Sequence, residues 1–449
     1  MPRFSNPNNF IVTFQMNNNM SLGAPKTIFL VILSFLMYVS GVSAQELMVG
    51  SAKRVLTPNP ILPVSGGVGM PKPATIKQGD LTARVMVMTK GNEKIAIVAI
   101  DNLGWPAALG DKSRKLVSEI PPENIMIGST HTHSAPDAYA FPDENGNVGA
   151  DLDYLNWCTV QIADAIKEAL KNVQPADLKI AMGKAEGKIA YNYYAPELYD
   201  PRCSVIQAIA TEGKRKGQPI VTLVNYAIHP EVIGNSRGIL SPDMVGPLND
   251  RIEQKTGGMS VFMNGAQGGM VTADNRLENG KEASDWQECI RIGDLLADEA
   301  LRIVAPAVSQ HNASLYCASK KVEFPIDSPM MRYILKNSPL TMGTGNDSIA
   351  TTTMNLVNVG TAQILTIPGE ALPNIGYYLK RKMHTDTPFL FGLTNDAFGY
   401  ILTKVDFDSF KRYEYVSKTS LGEMTGEILI SAAIDLIEHS PKQQNPVNK

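Results

Sequence analysis

Two histidines separated by one residue, His131 and His133, follow directly after a short apolar run. That run, Ile125–Ser129, comes after a Pro-Pro pair, which predicts a short buried strand. Side chains two residues apart on an extended chain point to the same side, so both imidazoles can reach one metal ion or one substrate. The alternative is a pair of ordinary hydrogen-bonded loop histidines, and the motif alone does not decide between the two.

Three further polar residues also follow apolar, strand-like runs: His229, Glu370 and Tyr400. Polar groups placed just beyond such strands converge at one edge of an α/β sheet. Two imidazoles and a carboxylate can hold Zn²⁺ and leave a position for water, whose pKa the metal lowers. Each residue also has an ordinary explanation, His229 as a turn residue before Pro230 and Glu370 as a helix cap.

The elements that must position these residues alternate along the chain. A hairpin with its turn at Gly91-Asn92 and several adjoining β runs predict mixed sheets. We therefore predict an α/β fold, one large domain with mixed central sheets flanked by helices and a metal site at the strand ends. The predicted strands cover 81–88, 94–101, 125–129, 178–182, 204–210, 220–227, 260–263, 314–324, 353–359 and 363–367, and the predicted helices 154–173, 247–256, 286–304, 372–381 and 421–438.

Composition excludes some classes of function. The chain has 449 residues, of which 44% are hydrophobic and 19% charged, and a formal net charge of -3. This is a globular composition without the basic surface that binds nucleic acid. We expect one catalytic domain over about 46–440, a surface loop over 337–351 and a disordered tail over 441–449.

The N-terminal segment has the layout of a secretory signal peptide. Lys26 precedes an apolar run over 28–39, and Val42-Ser43-Ala44 follows as a small-residue cleavage site. That run is too short for a stable transmembrane helix. We expect a signal peptide over 1–44, with Met20 as an alternative start, and a secreted or periplasmic mature chain without a transmembrane segment.

The cysteines do not indicate a metal site. Cys158, Cys203, Cys289 and Cys317 are widely spaced and include no C-x-x-C pair. One or two disulfides remain open, and their pairing does not follow from the sequence.

Several short blocks occur in the order found in neutral, non-lysosomal ceramidases. They are Thr130-His131-Thr132-His133-Ser134, the strand ending at His229, Pro368-Gly369-Glu370, Gly399-Tyr400 with Thr403, and Arg412-Tyr413-Glu414. On these residues the chain resembles the N-terminal catalytic domain of that family over nearly all of its mature length. The resemblance implies Zn²⁺ held by His131, His229, Glu370 and Tyr400. It also implies proton transfer or substrate orientation by His133 and polarisation of the scissile carbonyl by Tyr413.

The chain departs from the family where the nucleophile is expected. Thr272 stands in place of the family's serine and Met270 in place of its aspartate, and tyrosines follow Asn192 where the family has an arginine. The methyl group of threonine restricts χ1 and crowds the attack path. We therefore expect catalysis by metal-activated water, with Thr272 at most positioning the substrate.

The expected function is that of an exported zinc-dependent hydrolase that cleaves an amide (N-acyl) or related ester bond in a small-molecule or lipid-like substrate. A glycan-derived substrate and a non-catalytic binding protein on the same scaffold remain alternatives. A metal-dependent amidohydrolase barrel, which also begins with H-x-H, fits poorly because His311, His384 and His439 do not follow strands. Neither the substrate nor the oligomeric state follows from the sequence.

Overall fold

A computed structural model describes residues 45–340 and 348–442 of the chain. The predicted signal peptide over 1–44 lies outside the described residues. So do 341–347 of the predicted surface loop and 443–449 of the predicted tail. Within the described residues, no helix combines the length and apolar character needed to cross a bilayer.

The described residues form 21 strands and eight α-helices. The strands are β1 Met48–Val55, β2 Val64–Ser65, β3 Ile76–Lys77, β4 Thr82–Lys90, β5 Glu93–Ile100, β6 Ile125–Ser129, β7 Ala135–Pro136, β8 Gln174–Lys184, β9 Ala190–Asn192, β10 Arg202–Ala210, β11 Pro219–Tyr226, β12 Ile239–Leu240, β13 Met259–Asn264, β14 Val271–Ala273, β15 Ser309–Gln310, β16 Leu315–Pro325, β17 Ile349–Val359, β18 Ala362–Thr366, β19 Glu370–Ala371, β20 Thr387–Phe391 and β21 Tyr400–Ile401. The helices are α1 Ala107–Lys115, α2 Leu152–Lys171, α3 Val245–Thr256, α4 Trp286–Val304, α5 Pro329–Asn337, α6 Pro373–Lys382, α7 Glu414–Lys418 and α8 Thr425–His439.

Two mixed sheets form the centre of the fold. The larger has nine strands in the order β13-β11-β10-β8-β1-β4-β5-β6, with β15 added beside β8. The smaller has four, in the order β16-β17-β18-β20. Within these two sheets, three strand pairs are parallel, β5 with β6, β11 with β13 and β18 with β20. The predicted α/β class with mixed central sheets is confirmed.

The sheets pack face to face between helices. One core cluster joins Met86 and Leu223 of the larger sheet to Val357 and Phe389 of the smaller. Three other clusters lie beneath the helices, α2 and α3–α4 on the outer face of the larger sheet and α6 and α8 on that of the smaller. The result is a helix–sheet–sheet–helix arrangement, since each sheet is apolar on both faces.

The predicted elements are found with small shifts. The β4–β5 hairpin turns at Gly91, whose φ of 62° suits glycine. Helix α8 begins at Thr425 rather than at position 421, because the Leu421 carbonyl accepts the amides of Asp327 and Ser328 instead of a helical one. Strands β1 and β20, helices α1, α5 and α7, and the strands of two or three residues are not among the predicted elements.

The buried stripe of α4 contains Leu296 and Ala300, whereas Leu295 and Leu301 are only partly buried. All four cysteines are free thiols, three of them buried.

Asn225, near the end of β11, forms hydrogen bonds with both sheets. Its buried Nδ2 donates to the carbonyls of Met263 at 2.9 Å, Asn264 at 3.0 Å and Leu390 at 2.7 Å. Its Oδ1 accepts from the Leu390 amide at 3.1 Å. Strands β11 and β13 of the larger sheet and β20 of the smaller therefore share one side chain.

Replacing Asn225 with alanine should lower the free energy of unfolding by about 3 kcal/mol or more, since it leaves several buried backbone groups without partners. Urea unfolding followed by circular dichroism measures the change. Asn156, whose side chain bonds Lys112 on the surface, provides the control, and Asn156→Ala should stay within about 0.5 kcal/mol of the unaltered protein. Equal losses in both variants would contradict the bridging role of Asn225.

Candidate metal centre

The segments that follow the parallel strands meet at one end of the two sheets. His131 and His133 follow β6, His229 follows β11, and Glu370 and Tyr400 come after β18 and β20. Glu370 and Tyr400 are paired directly across the short parallel ladder of β19 with β21. The structure therefore brings the predicted ligands to a common edge.

Asn264, the last residue of β13, holds the two histidine segments in register. Its Nδ2 donates to the carbonyls of Thr130 at 3.0 Å and Ile228 at 2.7 Å. Its Oδ1 accepts from the amides of Ile228 at 3.1 Å and Gly265 at 2.9 Å. Thr130 and Ile228 each immediately precede a histidine, so this one buried amide fixes where both imidazoles begin.

Two residues beside the site have a strained backbone conformation. His131 has a φ of 73° and Met270 a φ of 70°, values that residues with a Cβ adopt at a cost. The His131 amide donates to the Asn102 carbonyl at 3.0 Å, which holds the conformation in place. Such strain persists only where surrounding contacts impose it, and it is found most often at functional sites.

The rings of His131 and His229 are oriented by backbone carbonyls. Nδ1 of His131 lies 2.5 Å from the Leu103 oxygen, and Nδ1 of His229 lies 2.7 Å from the Val271 oxygen. Because a carbonyl only accepts, both Nδ1 atoms carry the proton. When the rings are neutral, each Nε2 therefore offers a lone pair, as metal-ligating histidines do.

These lone pairs converge with a carboxylate. Glu370 Oε2 lies 3.0 Å from Nε2 of His229 and 3.4 Å from Nε2 of His131. Nε2 of His133 lies 3.3 Å from Nε2 of His131, and ligand atoms of the three histidines all lie within 4.8 Å of one another. Lone pairs and a carboxylate facing one another in a buried site repel unless a proton or a cation lies among them. The donor set fits Zn²⁺.

His133 differs from the other two histidines because its side chain is partly exposed and the carboxylate that it contacts is Glu231 rather than Glu370. Its Nδ1 lies 3.4 Å from Oε2 of Glu231. Burial lowers the pKa of His133 to about 3, against the opposing effect of Glu231 and together with the neighbouring His131. The imidazole is therefore neutral at physiological pH, with a lone pair on one ring nitrogen.

Glu231 was not identified from the sequence. The available indication was its position in His229-Pro230-Glu231, which places a carboxylate two residues after a candidate ligand. Burial raises its pKa, but His133 and the other histidines have the larger combined effect, and the net pKa lies below the usual value.

His229 and Glu370 form a buried charge pair in the metal-free protein. Burial lowers the pKa of His229, but its hydrogen bond to Glu370 and the charge of Glu231 outweigh that effect and raise the pKa to about 9. Burial raises the pKa of Glu370, but His131 and His229 together hold it well below its usual value.

Tyr400 lies beside this cluster with its hydroxyl directed at sulfur. Its Oη lies 3.5 Å from Sδ of Met270, and the ring is buried. Burial, reinforced by the charge of Glu370, raises the pKa of Tyr400 well above 10.0. Met270, at the position of the family's aspartate, is thus the residue that the Tyr400 hydroxyl contacts.

The remaining two predicted site residues, Thr272 and Tyr413, do not line the cavity beside His131 and His133. The Thr272 hydroxyl donates to Glu231, and Thr272 pairs with His229 through an isolated β-bridge. The ring of Tyr413 packs against Tyr194, with centroids 5.8 Å apart.

Tyr415, two residues beyond Tyr413, lines the cavity beside His131, His133 and Glu370. Its sequence position beside the Arg412-Tyr413-Glu414 block gave no separate indication of this placement.

An apolar cavity opens beside the histidines. Its apolar lining consists of Leu103, Tyr139, Phe141, Met331, Ala397 and Phe398. Five of these residues also line a second, adjoining cavity that extends to Leu335, Leu340 and Ile349. The two together, called the apolar cavity below, connect the histidine cluster to a long hydrophobic surface.

Comparison with known proteins finds this fold among ceramidases. A neutral ceramidase from Pseudomonas aeruginosa has a TM-score of 0.70 and 17% sequence identity, over 90% of this chain and 76% of that chain. A ceramidase complexed with C2 has a TM-score of 0.69 and 17% identity, over 90% and 77% of the respective chains. No family model and no curated protein matches the sequence. The likeness establishes a shared fold.

The metal-free protein should lose stability as pH rises. The folded pKa of His229, about 9, exceeds its ordinary 6.5, so its contribution is complete below pH 6.5 and is lost as pH rises through 9. The loss should be on the order of 3 kcal/mol. At acidic pH the lowered pKa of Glu370 has its effect, because stability falls as the carboxylate is protonated.

Chemical denaturation of chelator-treated protein between about pH 6 and 10 measures this dependence. His229→Gln should flatten the alkaline limb, whereas His311→Gln, at an exposed histidine paired with Asp177, should leave it unchanged. An alkaline limb of the same slope in His229→Gln would show that another group is responsible.

Proposed function

We propose that this protein is an exported, zinc-dependent hydrolase that cleaves an amide (N-acyl) or related ester bond in a lipid-like substrate. The observation that carries the proposal is the convergence of two carbonyl-anchored imidazoles and the Glu370 carboxylate at one end of the apolar cavity. The ceramidase fold supports the same reaction class. Export rests on the layout of residues 1–44.

His131, His229 and Glu370 would hold the metal, with Tyr400 as a fourth ligand. Their donor atoms are of the types that zinc prefers, and burial excludes competing water. Zinc held there would supply a Lewis acid that polarises a carbonyl and acidifies a water molecule. Binding the metal requires His229 to give up the proton that it holds in the metal-free protein, which couples metal affinity to pH.

His133 is the residue proposed to move the proton. Its Nε2 faces the cluster and its Nδ1 faces Glu231, the arrangement of a general base oriented by a carboxylate. After Nε2 accepts a proton, Glu231 stabilises the imidazolium, and the same nitrogen can return the proton to the leaving group. Glu231 therefore acts as a positioning residue through His133.

The apolar cavity would hold the acyl part of the substrate. Each methylene that it removes from water contributes about 0.8 kcal/mol of binding free energy. A chain extending along Phe141 and Met331 would keep the scissile carbonyl beside the histidines. The arrangement thus favours long-chain over short-chain acyl groups.

A non-catalytic binding protein on the same scaffold is the second candidate. The observation in its favour is that Thr272, in the position of the family's serine, directs its hydroxyl to Glu231 and lies outside the apolar cavity. The His133–Glu231 contact favours the enzyme, because a binding site has no need of an oriented proton acceptor.

The purified protein should contain about one zinc ion per chain by elemental analysis. His131→Ala and His229→Ala should lose most of the metal, since each removes a ligand. His133→Ala should keep the metal and reduce turnover of a long-chain acyl ester about 100-fold or more, as expected for a lost general base. His311→Ala, far from any predicted ligand role, is the matched control.

Two results would overturn these assignments. Absence of a stoichiometric transition metal from the unaltered protein would remove the proposed chemistry. Loss of the metal from His133→Ala would instead show that the roles within His131-Thr132-His133 are reversed.

Replacing Thr272 with alanine should reduce turnover about tenfold or less, on the order of one lost hydrogen bond to Glu231. The measurement is kcat/KM on the same ester, with metal content determined in parallel. Complete loss of turnover with metal retained, or a trapped acyl-threonine, would show that the hydroxyl is the nucleophile.

A further inference from the structure

A cavity separate from the apolar cavity lies next to the histidine cluster, at Glu231. Its lining includes two tyrosines, two carboxylates, an amide and a hydroxyl, contributed by Tyr191, Tyr193, Glu231, Thr272, Asn275 and Glu282. We call it the polar cavity. Glu231 belongs to it and also contacts Nδ1 of His133, so the polar cavity begins one side chain away from the proposed proton acceptor.

The polar cavity contains two carboxylates that lysine and arginine do not neutralise. Within 45–340 and 348–442, no lysine or arginine forms a salt bridge with Glu231 or Glu282, and the basic group that contacts Glu231 is the imidazole of His133. The nearby guanidinium of Arg276 lies over the Tyr191 ring at 3.8 Å, but Asp274 already binds it through both carboxylate oxygens at 2.8 Å. A ligand in this cavity therefore meets negative charge, most of all at Glu282.

The aromatic lining favours the same type of ligand. Tyrosine faces attract cations, as the stacking of Arg276 on Tyr191 shows within this protein. The neighbouring ring of Tyr193 is 60% exposed, so it is accessible to a ligand. The exposed carboxylate of Glu282, the partly buried carboxylate of Glu231 and an open tyrosine face together provide the elements of an ammonium-binding site.

The segment carrying Glu282 is held in position by its own contacts. Asn275 Nδ2 donates to the Ala283 carbonyl at 2.7 Å, and Arg276 and Glu282 form an antiparallel bridge. These contacts close the base of the loop and place the backbone of Glu282 at the edge of the cavity. The position of Glu282 is therefore set by the fold before a ligand binds.

We propose that the polar cavity is the subsite for the leaving part of the substrate and that it selects a leaving group carrying a protonated amine. This inference rests on the proposed function, because it assigns the other side of the scissile bond to the apolar cavity. The substrate would then be an acyl chain joined to a compact cationic group, rather than a molecule that is apolar on both sides.

Binding measured without catalysis tests the subsite. Three dodecylsulfonamides, which are not hydrolysed, carry 2-aminoethyl, 2-hydroxyethyl or carboxymethyl on nitrogen, compact groups of similar size that are cationic, neutral and anionic respectively. Calorimetry on the metal-loaded protein should give the cationic compound about tenfold tighter binding than the neutral one and the anionic compound the weakest. Glu282→Gln should reduce the cationic-to-neutral preference about threefold to fivefold.

The matched control is Glu278→Gln, an exposed glutamate of the same loop that does not line the cavity, and it should leave the preference unchanged. Equal binding of the three compounds, tighter binding of the anionic one, or a preference that Glu282→Gln leaves intact would each overturn the proposal. Turnover of a 4-nitrophenyl dodecanoate ester is measured separately. Absence of this turnover would contradict the proposed hydrolase. The calorimetric preference would still show whether the polar cavity binds a cationic group.

Discussion

The hydrogen bonds of one buried amide, Asn264, determine the geometry of the candidate site. They connect the peptide before His131 to the peptide before His229, across the gap between β6 and β11. Asn225 extends the same connection to the smaller sheet through Leu390. Buried backbone groups need partners, and here the partners are side-chain amides that also fix how the strand ends meet. These hydrogen bonds hold the backbone that carries the two imidazoles, and the imidazoles are thereby held in place.

Burying three histidines and a glutamate together is unfavourable unless each polar atom is satisfied. The structure satisfies the outer nitrogens with the carbonyls of Leu103 and Val271 and leaves the inner ones directed at Glu370. In the metal-free protein a proton on His229 provides the missing positive charge. A divalent cation would supply more positive charge than this proton. The proton and the cation therefore compete for the same nitrogen, so the affinity of the site for a metal would depend on pH.

The two cavities beside the candidate site differ in polarity. The apolar cavity, with Phe141 and Met331, and the polar cavity, with Glu231 and Glu282, share no lining residue. A substrate that filled both would change from apolar to polar near the histidine cluster. The shared fold with ceramidases accounts for the scaffold, whereas the chemistry of the polar cavity belongs to this chain's own residues.

The sequence by itself predicted most of the long strands and helices and the candidate ligands that the structure brings together. Apolar runs bounded by breaks located β6 and β11, and polar residues just beyond them identified His131 and His229, because periodicity and strand-end position are local properties. The convergence of these residues depended on Asn264 and on how the sheets pack, which no local pattern encodes. Only the tertiary structure placed Glu231 against His133, since that contact joins segments about a hundred residues apart whose spacing reflects packing rather than propensity.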